Sequence, residues 1–136
     1  MTHAKRAVLI GLNATSLAAM AYVAAYQTRA VKHLVCPAFG RGCEAVANAS
    51  FARPLGIPDG LLGVGMDSAM LAMAVVRRPS PRLVWVQFGF ALLNVATNSL
   101  GVRDMARLGQ FCFWCSVTMV LSLPIALLTV PARNRA

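Results

Sequence analysis

Residues 111–130 read FCFWCSVTMVLSLPIALLTV and decide the fold, because these 20 residues include no Asp, Glu, Lys or Arg. A helix rises about 1.5 Å per residue, so a segment of this length reaches roughly 30 Å, the thickness of the hydrocarbon core of a bilayer. The stretch therefore predicts a helix that spans a membrane. Cys112 and Cys115 lie near its start, so the same segment carries candidate chemistry.

Three more blocks of the same length lie upstream, at residues 7–26, 57–76 and 83–102. Two of them contain no charged residue, and the block at 57–76 contains only Asp59 and Asp67. Of the 136 residues, 58% are apolar and 12% are charged, whereas soluble domains carry about 25% charged residues. We therefore expect one all-α domain over residues 1–136, an integral membrane four-helix bundle with spans at 7–26, 57–76, 83–102 and 111–130.

The first block has an alternative interpretation as a signal peptide. Lys5 and Arg6 precede its apolar stretch, and small residues near Ala24 resemble a cleavage site. The apolar region of a signal peptide is usually about 7–15 residues long, which is shorter than this block. A loop with cysteines follows and needs an anchor, so we interpret the block as the first membrane helix.

The net charge of +9 comes from 13 Lys and Arg against four acidic residues. These few charges lie between apolar runs, which is not the pattern of a nucleic-acid-binding protein. Basic residues in short loops favour the cytoplasmic side of a membrane. One side of the predicted topology carries basic residues without acids, namely Lys5, Arg6, Arg77, Arg78, Arg82, Arg133 and Arg135. We expect a protein of the inner (plasma) membrane, in contact with lipid, with both termini cytoplasmic and with the long 27–56 loop and the short 103–110 loop outside.

The four cysteines form two pairs that this topology places on the same, extracytoplasmic side. Cys36 and Cys43 lie in the long loop, and Cys112 and Cys115 form a C-x-x-C motif at the start of the last block. The N-terminus of a helix stabilises a thiolate, which is the reactive form in disulfide exchange. A disulfide between the loop cysteines closes a short ring, which stabilises little and suits exchange better than stapling.

Other uses of the cysteines have to be weighed against thiol–disulfide exchange. Two structural disulfides would explain an even number of cysteines outside the cytoplasm. A zinc site would need all four thiolates together, with His33 as a possible substitute ligand. A non-enzymatic protein that handles mercury or zinc through paired cysteines is the alternative from a different functional class.

Several stretches together resemble the bacterial branch of the vitamin K epoxide reductase family. They are Cys36-x6-Cys43-Glu44-Ala45-Val46, Phe51-Ala52-x3-Gly56-Ile57-Pro58-x4-Gly63 and Cys112-Phe113-Trp114-Cys115. The resemblance covers nearly the whole chain. The DsbB-type oxidases also have four spans and two cysteine pairs, but their C-x-x-C pair comes first along the chain, the reverse of the order here.

The resemblance implies a quinone-dependent thiol–disulfide oxidoreductase that reoxidises a DsbA-like, thioredoxin-fold partner. Cys36 would accept electrons from the partner, Cys43 would pass them to Cys112, and Cys115 would face the quinone, either ubiquinone or menaquinone. The chain departs from the family pattern in two places. Ala49 stands where a serine is common, and Met119 stands where members that act on vitamin K have a tyrosine. The methionine weakens the case for epoxide reduction, which the sequence does not decide. Because no thioredoxin-like domain is fused to the chain, we expect a separate partner protein.

A few residues within the spans are candidate contacts of the quinone. Asp67 is a carboxyl group inside a predicted span, where ionisable residues are functional candidates by default. It is either a proton-exchanging group or a hydrogen-bonding group of the bundle. Asn94 shares a helix face with Asn98 and is either an interhelical hydrogen-bonding residue or a contact of a quinone carbonyl. The aromatic residues that flank the thiols complete the predicted site: Phe111, Phe113 and Trp114.

Overall fold

The computed structural model describes residues 2–38 and 40–131 of the chain. Within them it contains five α-helices and no strand: α1 His3–Gln27, α2 Gly42–Ala47, α3 Asp59–Ala74, α4 Pro81–Leu108 and α5 Phe113–Thr129. The predicted all-α class is confirmed. Arg133 and Arg135, which entered the predicted orientation, lie outside the described residues.

The ends of the long helices follow from local capping chemistry. The Ser80 side chain caps α4 by accepting from the Leu83 N–H at 3.2 Å, and Pro81 occupies the first turn, where its missing N–H is not needed. Gly109 ends α4 in the left-handed conformation, with φ 75°, which glycine adopts without steric penalty. The Cys112 side chain caps α5.

The prediction of a loop over residues 103–110 is wrong, because α4 continues to Leu108. The chain becomes polar at Arg103, Asp104 and Arg107. Charge alone does not end a helix, because arginine is a good helix former and basic residues are favourable in its last turn. The helix stops only where Gly109 permits the left-handed turn. The connection to α5 is therefore only the short stretch 109–112.

The long connection between α1 and α3 is largely structured. It contains α2 and two short 3-10 turns, at Ser50–Ala52 and Pro54–Gly56. Leu34, Val46 and Ala52 are buried in it, so the segment covers the end of the helices instead of extending away from them. Leu55, at its tip, is almost fully exposed and has a positive φ of 56°.

The four long helices pack around two buried clusters. α1 packs along both α3 and α5, α5 also packs along α4, and α3 and α4 contact each other more weakly. The cysteine-end cluster is made of Val23, Leu34, Cys43, Val46, Ala47, Met105 and Cys112, and the far-end cluster of Leu9, Met70, Ala74, Ala91 and Ile125. The described ends of the chain, where α1 begins and α5 ends, lie at the far end.

Two helices of the described residues, α1 and α4, have the length and hydropathy of membrane spans, and α5 is a shorter apolar helix. Large apolar side chains also point outward along the helices, among them Trp85, Leu92, Leu93, Val120 and Leu127. Such outward apolar surface is typical of helices that face lipid. Four complete spans remain a prediction.

Candidate functional site

The two cysteine pairs come together at one end of the molecule. Cys36 and Cys43 form a disulfide with their Cα atoms 5.7 Å apart, and Cys112 and Cys115 are free thiols. The backbone N–H of Phe113 donates to the Cys43 sulfur at 3.2 Å, so the disulfide lies directly at the start of α5. The chain thus places an oxidised pair beside a reduced pair.

Close approach of the loop to α5 depends on Gly42. A Cβ atom at this position would overlap the carbonyl oxygen of Phe111. Because glycine has no Cβ, α2 begins directly against the backbone that leads into the C-x-x-C motif. The side chain of Cys43, the next residue, is thereby buried between α2 and α5.

The thiol pair lies at the N-terminus of α5, as predicted from the motif. Cys112 is fully buried, and its sulfur accepts the Cys115 N–H at 3.3 Å. The exposed N–H groups of a helix N-terminus stabilise negative charge, so this contact favours a thiolate at Cys112 over one at Cys115. The Cys112 N–H in turn donates to the Met105 sulfur at 3.3 Å, which fixes the turn between α4 and α5.

Trp114 fixes the segment that carries Cys36. Its indole N–H donates to the Val35 carbonyl at 2.7 Å, and the Val35 N–H donates to the Tyr22 hydroxyl at 2.9 Å. The rings of Tyr22 and Trp114 pack edge to face with their centroids 5.3 Å apart. Both backbone groups of Val35 are therefore held, and Cys36 follows at the partly exposed surface.

A cavity of about 700 Å³ lies below the thiol pair, between the long helices. Cys115 lines it, whereas Cys112 does not. Most of its wall is apolar, with contributions from Phe51, Leu61, Leu62, Met66, Phe90 and Met105. The structure thus opens the second cysteine of the motif to an apolar space large enough for a small ring compound.

Of the predicted quinone contacts, Asn94 and Asp67 line the cavity, whereas Phe111, Phe113 and Trp114 do not. The Phe113 ring instead packs against the Trp114 ring, with centroids 5.1 Å apart. Direct contact of these three aromatic residues with a quinone stays a prediction. The sequence shows that they are next to the thiols, but it does not show which way their side chains point.

One wall of the cavity carries a chain of hydrogen bonds. The Asn98 side-chain amide donates to the Asn94 Oδ1 at 2.8 Å, and the Thr118 hydroxyl lies 3.1 Å from the Asn98 Oδ1. The two asparagines share a face of α4, as their spacing predicted. Thr118 is one turn beyond Cys115 on α5, so the chain joins α4 to α5 next to the thiol.

Asp67 lies deeper, in the middle of α3. Its carboxyl group is only 2% exposed, and its Oδ2 accepts the Ser16 hydroxyl of α1 at 2.8 Å. Of the two predicted uses of Asp67, the structure shows a hydrogen bond of the bundle, and its partner is Ser16, which sequence reasoning missed. A serine in an apolar helix has no distinguishing pattern until its partner is known.

Gln27 is a second residue that sequence reasoning missed. Its side-chain amide donates to the Asp59 Oδ1 at 2.7 Å and to the Ala47 carbonyl at 3.1 Å, and its side-chain oxygen accepts the Gly60 N–H at 3.0 Å. The ends of α1 and α2 and the start of α3 are tied together at this one side chain. Asp59 also lines the cavity, so Gln27 positions part of its wall.

No group of three or more His, Cys, Asp or Glu side chains that could hold a metal ion is found in residues 2–38 and 40–131. His33 lies 3.7 Å from the Glu44 carboxyl group and is exposed to solvent. With Cys36 and Cys43 joined in a disulfide, only two thiols are available to a metal.

Comparison with known proteins gives one family. The model of the vitamin K epoxide reductase family matches residues 7–130, which is nearly the whole chain. A search of curated proteins finds no matching relative. The matched region contains both cysteine pairs and every residue of the cavity wall.

Proposed function

The chain belongs to the vitamin K epoxide reductase family, a family of membrane oxidoreductases. We propose that it is a quinone-dependent thiol–disulfide oxidoreductase that reoxidises a thioredoxin-fold partner of the DsbA type. The observation that carries this proposal is the position of the two cysteine pairs. A disulfide lies against the start of α5, and the second thiol of the C-x-x-C motif opens onto an apolar cavity.

The solvent exposure of the four cysteines supports an order in which they would react. Cys36 is partly exposed, Cys43 and Cys112 are fully buried in one cluster, and Cys115 faces the cavity. In the proposed path, a thiolate of the partner attacks Cys36, and the partner leaves as a disulfide while the loop cysteines become thiols. The Cys43 thiolate then attacks a Cys112–Cys115 disulfide at Cys112, which forms a Cys43–Cys112 disulfide and frees the Cys115 thiol. The Cys36 thiolate attacks Cys43 of that bond, which regenerates the loop disulfide and frees Cys112, so that the C-x-x-C pair is left reduced.

The volume and the lining of the cavity support a quinone as its occupant. It combines an apolar wall that includes Phe51 and Phe90 with a few polar groups, among them Asn94 and Asp67. A bound quinone accepts two electrons and two protons, and its ring would lie between Cys115 and these polar groups. Ubiquinone and menaquinone share the planar ring, the two carbonyl groups and the prenyl tail that such a cavity recognises. Phe111, Phe113 and Trp114 enter this proposal because they flank the two thiols at the start of α5.

The proposal places all four long helices across the inner membrane. At about 1.5 Å per residue, α3 and α5 reach roughly 24–26 Å, which a locally thinned bilayer accommodates. The Lys and Arg bias of the chain supports the part of the proposal that has both termini in the cytoplasm and all four cysteines on the extracytoplasmic side, where disulfides persist.

Thiol trapping tests the function. Reduced protein in membranes is incubated with or without added quinone, and the free thiols are then alkylated and counted by mass spectrometry. We expect quinone to lower the number of alkylatable thiols in the natural protein and to leave it unchanged in Cys115→Ala. Ser99→Ala is the matched control, since Ser99 is exposed on α4 and its hydroxyl donates to the Val95 carbonyl of its own helix. If quinone leaves the thiols of the natural protein unchanged, the proposed function is wrong.

A further inference from the structure

Asp67 is a buried carboxyl group that the path of the four sulfurs does not use. It lines the same cavity as Cys115, and it is 2% exposed. An ionised carboxylate inside a spanning helix is unfavourable unless a cation or several donors compensate it. Asp67 forms no ion pair within the described residues, and no Lys, Arg or His of that part lines the cavity. The surroundings therefore favour the neutral carboxylic acid.

A neutral acid at this position has a proton to give. Ser16 donates to the Oδ2 atom, and this is the hydrogen bond that holds the side chain. A protonated carboxyl group keeps one O–H that donates in addition to accepting from Ser16. That donor belongs to a side chain on the cavity wall, so it is available to a carbonyl group of a molecule in the cavity.

Asp67 and Cys115 face the cavity at different depths. Both α3 and α5 begin at the cysteine end, and Cys115 is the third residue of α5 while Asp67 is the ninth residue of α3. At about 1.5 Å of rise per residue, Asp67 is roughly 9 Å further from the start of α3 than Cys115 is from the start of α5. A quinone carries its two oxygens on opposite sides of the ring, so the thiol and the carboxyl group are placed to serve different oxygens.

The far-end cluster lies beneath Asp67, on the side away from the thiols. Met70 is one turn beyond Asp67 on α3, and Ala91 is one turn before Asn94 on α4. Both are fully buried together with Leu9 of α1 and Ile125 of α5. All four long helices therefore contribute to this cluster, which lies between Asp67 and the ends of the chain.

We propose that Asp67, held by Ser16, is the proton donor to the quinone oxygen farther from Cys115. This inference rests on the proposed function. The C-x-x-C dithiol loses two electrons and two protons and becomes a disulfide, and the quinone gains the same electrons and protons. One proton passes from Asp67 to the far oxygen, and a proton released by the thiols restores Asp67 through the cavity, so the balance closes without another reactant.

The test has to separate the pH dependence caused by Asp67 from that of the other titratable groups on the cavity wall. They are Asp59 on α3, Asp104 on α4 and Cys115 on α5, and α1 contributes no titratable group to the wall. Asp59 is held by Gln27, and Asp104 lies 3.5 Å from Arg103 near the solvent-exposed end of α4. Substitution of Asp67 therefore removes one pH-dependent component while these three remain.

Infrared difference spectroscopy on the purified protein in detergent gives a readout besides turnover. We expect the carbonyl band of a protonated carboxylic acid to shift when quinone is added to the natural protein. The shift should be absent in Asp67→Asn and retained in Asp67→Glu. Ser16→Ala should move the band before quinone is added, whereas Ser68→Ala, an exposed serine next to Asp67 on α3, should leave it in place.

Turnover and pH dependence complete the test. A general acid contributes typically about 10²–10⁴-fold to a rate, so we expect Asp67→Asn to lower kcat by about 10²-fold with little change in KM. The rate of the natural protein should fall as pH rises, because the donor must be protonated, and Asp67→Asn should lose that decline. If Asp67→Asn fails to fold, Ser16→Ala, which keeps the carboxyl group, should still show the displaced band and a lower kcat.

Two results overturn the inference. In the first, the natural protein reduces quinone and Asp67→Asn matches it in kcat, pH profile and spectrum. Asp67 then transfers no proton, and the proposed function still stands. Natural protein that neither reduces quinone nor changes its spectrum on quinone addition overturns both. An unchanged spectrum in Ser16→Ala would likewise contradict the role of that hydrogen bond.

Discussion

Gln27 shows how one side chain joins elements that are far apart in the sequence. It is 5% exposed, and both ends of its amide group are bonded, to Asp59, Ala47 and Gly60. A Cβ atom on Gly60 would come within 2.6 Å of the Gln27 side-chain oxygen, so the two positions fit each other closely. A buried polar group that loses its partner is unfavourable by about 1–3 kcal/mol. The side chain therefore stabilises the mouth of the cavity.

We expect Gln27→Ala to lower the free energy of unfolding by about 2–3 kcal/mol, because the Asp59 carboxyl group and the Gly60 N–H both lose a buried partner. Thermal unfolding of the purified protein in detergent measures the change. Gln110→Ala is the control, since Gln110 is exposed just after α4. Equal stability of the two variants would show that the hydrogen bonds of Gln27 contribute nothing to the fold.

At the scale of elements, the start of α5 has two tasks. Its N-terminal turn holds the thiol pair, with Cys112 as the capping residue. The same turn presents Trp114 to the loop, where the indole binds the Val35 carbonyl. The loop disulfide and the C-x-x-C motif are therefore positioned by one short stretch of helix, and movement of the loop changes the geometry between the two cysteine pairs.

Trp114→Phe removes the hydrogen bond to Val35 but keeps an aromatic ring against Tyr22. A hydrogen bond of this kind stabilises by about 1 kcal/mol, so local opening of the loop should become about three to ten times more frequent. We expect the Cys36–Cys43 disulfide to be reduced by dithiothreitol faster by that factor. Trp85→Phe, at a tryptophan that is 63% exposed on α4, should leave the rate unchanged. An unaltered reduction rate in Trp114→Phe would mean that the indole does not hold the loop.

At the scale of the whole molecule, the two buried clusters lie at opposite ends of the helices, one with the cysteines and one without them. The cysteine-end cluster contains Cys43 and Cys112, and the cavity begins beside it. The far-end cluster contains only apolar side chains, contributed by all four long helices. Packing at the far end thus holds the helices together, and the other end carries the cavity and the loop disulfide.

Leu9→Ala should lower the free energy of unfolding by about 2–5 kcal/mol, since a fully buried leucine leaves a cavity that its neighbours fill only in part. Leu127→Ala makes the same chemical change at a leucine that is 74% exposed on α5, and it should change stability by about 0.5 kcal/mol or less. Denaturant unfolding in detergent compares the two. Similar losses for both would indicate that the far-end cluster is not a packed layer.

Residue chemistry that acts locally was predictable from the sequence alone. The helical class followed from long runs without charge, and the reactive end of α5 followed from the spacing of Cys112 and Cys115. The interest of Asp67 followed from a carboxyl group within an apolar run. Each of these depends on neighbours within a few residues along the chain, which is the range that hydropathy and capping rules describe.

Contacts between distant residues were decided only by the tertiary structure. The end of α4 was misjudged because charges mark polarity and not helix termination, which Gly109 controls. Trp114 turned to the loop and not to the cavity, and Gln27 and Ser16 gained roles from partners 20 to 51 residues away. Packing of whole helices fixes where a side chain points and what it meets. The sequence by itself determined which chemistry the protein carries, and the tertiary structure decided which groups share one cavity.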